Sequence, residues 1–180
     1  MENLEQFTIL VFTENKVGLL QRVVLTFSRR KINIESLNTS ESEIPGVFRF
    51  TIVVRAEEDF VRKTVKNIEK QVEVHQAYYY RDDEVVYQEI ALYKVPTEVL
   101  AAQGQAEKIV REHHARVLTV EKEFTILEKT GHEEETTKLC DELEPYGLLE
   151  FVRSGRVAIT KPRQEIESYM NGLEWAVQHK

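Results

Sequence analysis

Within the first 80 residues the hydrophobic period switches repeatedly between two, the mark of a strand, and 3.6, the mark of a helix. The order of those switches leaves few folds open. Residues 7–12, FTILVF, read as a strand bounded by TENK, and from Val17 onward Leu20, Val23, Val24 and Phe27 fall on one helical stripe. The basic SRRK closes that helix at the negative end of its dipole, and strand character resumes over Ile32–Leu37 as INIESL. A turn at Pro45–Gly46 leads to a half-buried antiparallel strand, in which Phe48, Phe50, Ile52 and Val54 alternate with Arg49, Thr51 and Val53. Val61, Val65, Ile68 and Val72 then repeat at helical spacing, and VEVHQAYYY ends the unit. The order β-α-β-β-α-β predicts a ferredoxin-like α+β unit, an antiparallel sheet with two helices on one face.

After the charged RDDE at 81–84 the same order recurs. VYQEIALYKV reads as a strand and Val99, Ala102, Ala106, Ile109 and Val110 as one helix. ARVLTV and EFTILEK follow as strands, Thr136, Leu139, Cys140 and Leu143 mark a second helix, and GLLEFV with RVAIT forms the closing strand region. No residue-level repeat accompanies the repeated architecture. Past Pro162, Ile166, Tyr169, Met170, Leu173, Ala176 and Val177 take the spacing of an amphipathic helix. The expected organisation is therefore two ferredoxin-like βαββαβ units, 5–80 and 85–162, plus a C-terminal helix at 163–180. That tail packs on its own chain or docks on another.

Asp and Glu outnumber Lys and Arg by 31 to 24, a net charge of -7 that repels nucleic acid and anionic lipid. The acidic N-terminus does not read as a signal peptide, and no apolar run approaches the roughly 20 residues that span a bilayer. With a single cysteine, the chain is expected to be cytoplasmic and free of disulfides.

Catalytic patterns are sparse. Cys140 sits on an apolar helical stripe, where thiols are usually inert. His132–Glu133 begins a string like HExxH, but Thr136 stands where the second imidazole belongs. His113 and His114 point about 100° apart on a helix and suit a helix end better than a metal. Tyr78, Tyr79 and Tyr80 alternate across a strand, so they cannot form one base-stacking platform and are expected to pack across strands or at an interface.

The loop TENKVGLLQRV is more informative. Gly18 falls near the first turn of the first helix, where unpaired N–H groups attract an anion and the missing Cβ admits close approach. Asn15 can both donate to and accept from a bound zwitterion. The same residues also serve as an ordinary cap and turn. Asn33, read inside the apolar strand INIESL, needs an edge, an interface or a ligand to satisfy its amide.

The run ENKVGLLQRVVLTFSRRKINIESLNTS, residues 14–40, resembles the ACT-domain opening of the small regulatory subunit of acetohydroxyacid synthase (acetolactate synthase), and RSGRVAIT at 153–160 is similar to that family's closing strand region. The resemblance covers residues 5 to 162; the tail lies past it, and ESEIPGV is only loosely like the corresponding segment. It implies an N-terminal ACT effector domain, a C-terminal ACT-like domain and a non-catalytic subunit that activates a large catalytic subunit and confers feedback inhibition by valine or a related branched-chain amino acid. Thiamine diphosphate, Mg and FAD then belong to the catalytic partner, with no cofactor or metal on this chain. The resemblance further implies a homodimer through the ACT domain with the effector between protomers. Asn15 matches the loop Asn that contacts the effector, Gly18 the Gly whose backbone receives its carboxylate, and Asn33 the Asn that reaches across from the partner; the carboxylate is then expected to cap the first helix through the Gly18 and Leu19 N–H groups. A stand-alone ACT sensor acting on another partner is the alternative, and an acylphosphatase-like enzyme is disfavoured because TENK offers no Arg for a phosphate cradle.

Overall fold

The computed structural model describes residues 4–101 and 104–161, so the amphipathic segment at 163–180 lies outside the described residues. The chain forms two compact units, one from residues up to Val86 together with Ala158 onward, the other from Tyr87 to Val157.

The first unit runs β1 (Glu5–Glu14), α1 (Leu19–Ser28), β2 (Ile34–Glu41), β3 (Val47–Ala56), α2 (Glu58–Glu69) and β4 (Val74–Arg81). Its sheet has the order β2-β3-β1-β4, with every pairing antiparallel. This is the ferredoxin-like arrangement. Phe7, Ile9 and Val11 of β1 and Phe50, Ile52 and Val54 of β3 meet Val23 and Phe27 of α1 and Val61, Val65 and Ile68 of α2 in one core.

Strand β3 departs from the half-buried expectation, since Phe50 through Val54 are all buried, and so are Phe7 through Thr13 of β1. The reason is a second cluster on the other face of the sheet, where Leu10, Phe12 and Val47 pack with Ile44, Tyr78 and Tyr80. A strand covered on both faces loses its polar alternation. The three tyrosines divide accordingly: Tyr79 packs edge-on to Phe7 at 5.9 Å on the helical face, whereas Tyr78 and Tyr80 lie 6.2 Å apart on the other.

Two helix ends also differ from the periodic reading. Val72 lies beyond α2 and is exposed. Asn33 lies outside β2 and is itself exposed, which corrects its placement inside a strand. The C-terminus of α1 explains this. Lys31 adopts φ 56°, its N–H donates to the Ser28 carbonyl at 3.0 Å, and the Ile32 N–H donates to the Phe27 carbonyl at 3.1 Å. This is a Schellman motif, sealed by the contact of buried Ile32 with the core around Phe27. Ile32 is thus committed to ending the helix, and the strand starts two residues later.

The second unit runs from β5 (Val85–Pro96), which begins in the first, through α3 (Thr97–Ala101), α4 (Gln105–Glu112), β6 (Arg116–Val120), β7 (Phe124–Gly131) and α5 (Glu133–Leu143) to β8 (Glu150–Arg153), and β9 (Val157–Thr160) starts in it and continues in the first unit. Its sheet has the order β6-β7-β5-β8, and β9 also pairs with β5. The single helix expected from Val99 to Val110 is two, with Gly104 in extended backbone before α4. Ile109, Val110, Leu139 and Leu143 close over Tyr93, Val95 and Leu127, and the buried Tyr93 hydroxyl donates to the Thr136 carbonyl at 2.7 Å. Helix α4 ends as α1 does: His114 has φ 54°, its N–H donates to Arg111, and the Ala115 N–H donates to Val110, both at 3.0 Å. His113 meets Glu142 at 3.1 Å, so the adjacent histidines are a helix end.

Lys31 and His114 are the non-glycine residues at positive φ among the described residues, and both are exposed. Each bears the left-handed penalty of a Cβ, so Lys31→Gly and His114→Gly are expected to stabilise their units by up to about 1 kcal/mol. Chemical denaturation should show higher midpoints for both.

Candidate functional site

The short connection from β1 to α1 is built around one left-handed residue. Gly18 occupies the cap position of α1 with φ 82° and ψ -8°, and a Cβ placed there would meet nothing within 4 Å. The glycine is therefore required by backbone handedness and not by crowding, and the space over it is open. Asn15, Lys16, Val17 and Gly18 are all exposed, and Val17 is fully so.

The anchors of this loop lie on either side. The Glu14 N–H donates to the Glu73 carbonyl at 2.9 Å, and Arg22 of α1 pairs with the Glu73 carboxylate at 2.7 Å. The guanidinium beside it holds the Glu73 carboxyl below the usual carboxylate range. Lys16 pairs with Glu14 at 2.8 Å, which raises its ammonium pKa. Glu73 carries no local signal that would select it from the sequence, because its two contacts come from distant segments.

The N-terminus of α1 lacks the usual compensation. Among the described residues no side chain caps it, and no acidic residue lies in its first turn. The Leu19 N–H donates to the Lys16 carbonyl at 3.3 Å, a long bond, and among the described residues no hydrogen bond is made by the Gly18 N–H. Open donors and an uncompensated positive dipole end are what a carboxylate requires. The Leu19 side chain points into the protein and is buried, so only its N–H faces the loop.

Asn15, Gly18 and Leu19 thus come together at one end of α1. Asn33 does not join them. It follows the C-terminus of α1, and a helix of ten residues rising 1.5 Å each puts it about 15 Å away. Asn33 instead stands beside β2, an edge strand of the sheet. A ligand the size of one amino acid cannot span that distance within one copy of the chain.

Among the described residues no group of three or more His, Cys, Asp or Glu is placed to hold a metal ion, and no helix is long and apolar enough to cross a membrane. His132 stands at the start of α5, where its N–H donates to Glu135 at 2.7 Å and its ring meets Tyr87 at 4.4 Å. Burial pushes the Cys140 thiol up, away from reactivity.

Two families match the chain in succession. Residues 9–76 match the ACT domain described as AHAS small subunit-like, and residues 88–162 match the family described as the small subunit of acetolactate synthase. The acetolactate synthase small subunit of Mycolicibacterium smegmatis is 35% identical over 154 residues, 86% of this chain and 90% of that protein. The one from Bacillus subtilis is 30% identical over 152 residues, 84% of this chain and 88% of that protein. Among solved structures, the acetolactate synthase small subunit of Thermotoga maritima superposes with a TM-score of 0.79 at 26% identity, covering 89% of this chain and 99% of that one.

The geometry separates backbone handedness from packing. Gly18→Ala is expected to cost about 1 kcal/mol, because an L side chain is strained at φ 82°. Gly104→Ala, equally open around its Cβ but at φ -98°, should be neutral or stabilising by up to about 1 kcal/mol. Paired denaturation curves check both.

Proposed function

The chain belongs to the acetolactate synthase small-subunit family, and on that footing we propose that it binds a branched-chain amino acid, valine first, between two ACT units and thereby regulates its large catalytic partner. The observation that carries this reading is the uncapped, acid-free start of α1 under the open backbone of Gly18.

The effector's carboxylate sits at the Gly18 N–H and draws the Leu19 N–H away from its long bond to Lys16. Asn15 reaches the same group or the ammonium with its amide. Asn33 of the second copy contacts the ammonium, which requires the two protomers to meet along the flank that carries β2. The aliphatic side chain takes an apolar contact at the seam, and one methylene more or less discriminates only weakly, so leucine and isoleucine compete.

Regulation needs no chemistry on this chain, which we assign a non-catalytic, cytoplasmic role. The large subunit supplies catalysis with thiamine diphosphate, Mg and FAD. This chain activates it in one dimer arrangement, and valine favours the other. A differential affinity of about 1–3 kcal/mol between the two arrangements is enough for feedback inhibition.

Calorimetric titration with valine, leucine, isoleucine, serine and phenylalanine tests the reading, together with co-purification of the large subunit. Asn15→Ala and Asn33→Ala each remove a hydrogen bond to a charged group and should weaken valine binding about tenfold to a hundredfold without unfolding the chain. Mixing the two variants gives a sharper outcome. In a site shared between protomers, the mixed dimer contains one intact site and recovers half of the high-affinity binding capacity. No recovery would place both asparagines in one protomer's site, and tight binding of serine or phenylalanine alone would favour a sensor serving another partner.

A further inference from the structure

A groove of about 630 Å³ runs between α1 and α2 of the first unit. Its α1 wall is a single helical face, since Arg22, Leu25, Thr26 and Arg29 fall at i, i+3, i+4 and i+7, with Arg30 just beyond. Lys70 and Gln71 line the α2 side. Among the described residues no acidic one lines it, although the chain as a whole carries a net charge of -7.

Arg22 is engaged with Glu73, but among the described residues Arg29, Arg30 and Lys70 form no ion pair. Compensation of helix dipoles accounts for cations at the ends of α1 and α2. It does not account for the exposed Leu25 midway along the wall; Arg22, in the first turn of α1, is taken up by Glu73. The cations Arg29, Arg30 and Lys70 come from the ends of two helices and line the same groove as Leu25. A lone compact anion would satisfy cations and leave Leu25 bare, whereas an acidic peptide brings carboxylates and apolar side chains together.

We propose that this groove seats an acidic peptide segment of the large catalytic subunit. The inference rests on the small-subunit reading above and adds the face by which the partner is held. The groove reaches Arg22 in the first turn of α1, but Asn15, Gly18, Leu19 and Asn33 do not line it, so effector and partner use different residues of one unit.

The test uses the full chain and the purified large subunit, comparing wild type with the triple variant Arg29→Glu, Arg30→Glu, Lys70→Glu. Arg22 is left intact to keep its pair with Glu73. Wild-type affinity should fall as salt rises from 50 to 200 mM, and the variant should lose at least tenfold at low salt while its calorimetric valine titration stays unchanged. Wild-type affinity in the variant overturns the groove as docking face, and so does loss of valine binding in step with partner binding. A changed oligomeric state of the variant with unchanged partner affinity also overturns it, by assigning the groove to a second copy of this chain. Failure of the wild-type chain itself to bind the large subunit overturns the small-subunit reading instead.

Discussion

The first unit depends on β1. Its residues from Phe7 to Thr13 are buried, with Phe7, Ile9 and Val11 under the helices and Leu10 and Phe12 on the opposite face. It pairs with β3 along its whole length from Glu5 to Glu14 and with β4 from Phe7 to Thr13. Each large side chain fully withdrawn from water contributes about 1.5–3 kcal/mol, so one strand carries a large share of the driving force for the unit. It also fixes where the chain emerges. The pairing with β3 ends at Glu14, and within four residues Gly18 has turned the backbone into α1.

A left-handed glycine reverses the chain without a capping side chain, and the helix is left with its first donors open. A protein that needed only a stable turn would gain from Ser, Asp or Asn at the cap position. The Arg22–Glu73 pair holds the loop from behind by tying the first turn of α1 to the start of β4. The donors are therefore positioned by the sheet and by an ion pair, and the carboxylate proposed above would complete the cap.

The second unit repeats the plan with different residues. Its first full helix ends in the same Schellman motif, with His114 in the left-handed position that Lys31 holds at the end of α1. Its polar interior is its own: Glu89 is buried beside Arg153, which also pairs with Glu133 at 2.6 Å, and Arg156 stacks on Tyr87 at 3.6 Å. Burial raises the Glu89 carboxyl, and the two arginines oppose that shift. The RSGR run at 153–156 thus ties the closing strands to the start of α5.

Much of this was legible in the sequence, because periods of two and 3.6 are local properties of the chain: the order of strands and helices, the core faces of α1 and α2, and the turn at Gly18 all follow from near neighbours. What required the fold involves contacts between distant segments. The two-faced burial of β1 and β3 depends on a second cluster assembled from β4 and the turn before β3. Glu73 acquires its place through Arg22, and the groove exists only where α1 and α2 lie side by side. Asn33 shows the division most directly. Its neighbours Ile32 and Ile34 mark a strand by pattern, yet Ile32 is spent sealing the end of α1 against the core, and the amide is left exposed a helix length away from Gly18. The sequence by itself determined most of the order of strands and helices and the glycine turn before α1; the tertiary structure decided which side chains face each other and where helices end, since that depends on packing between segments that no local pattern encodes.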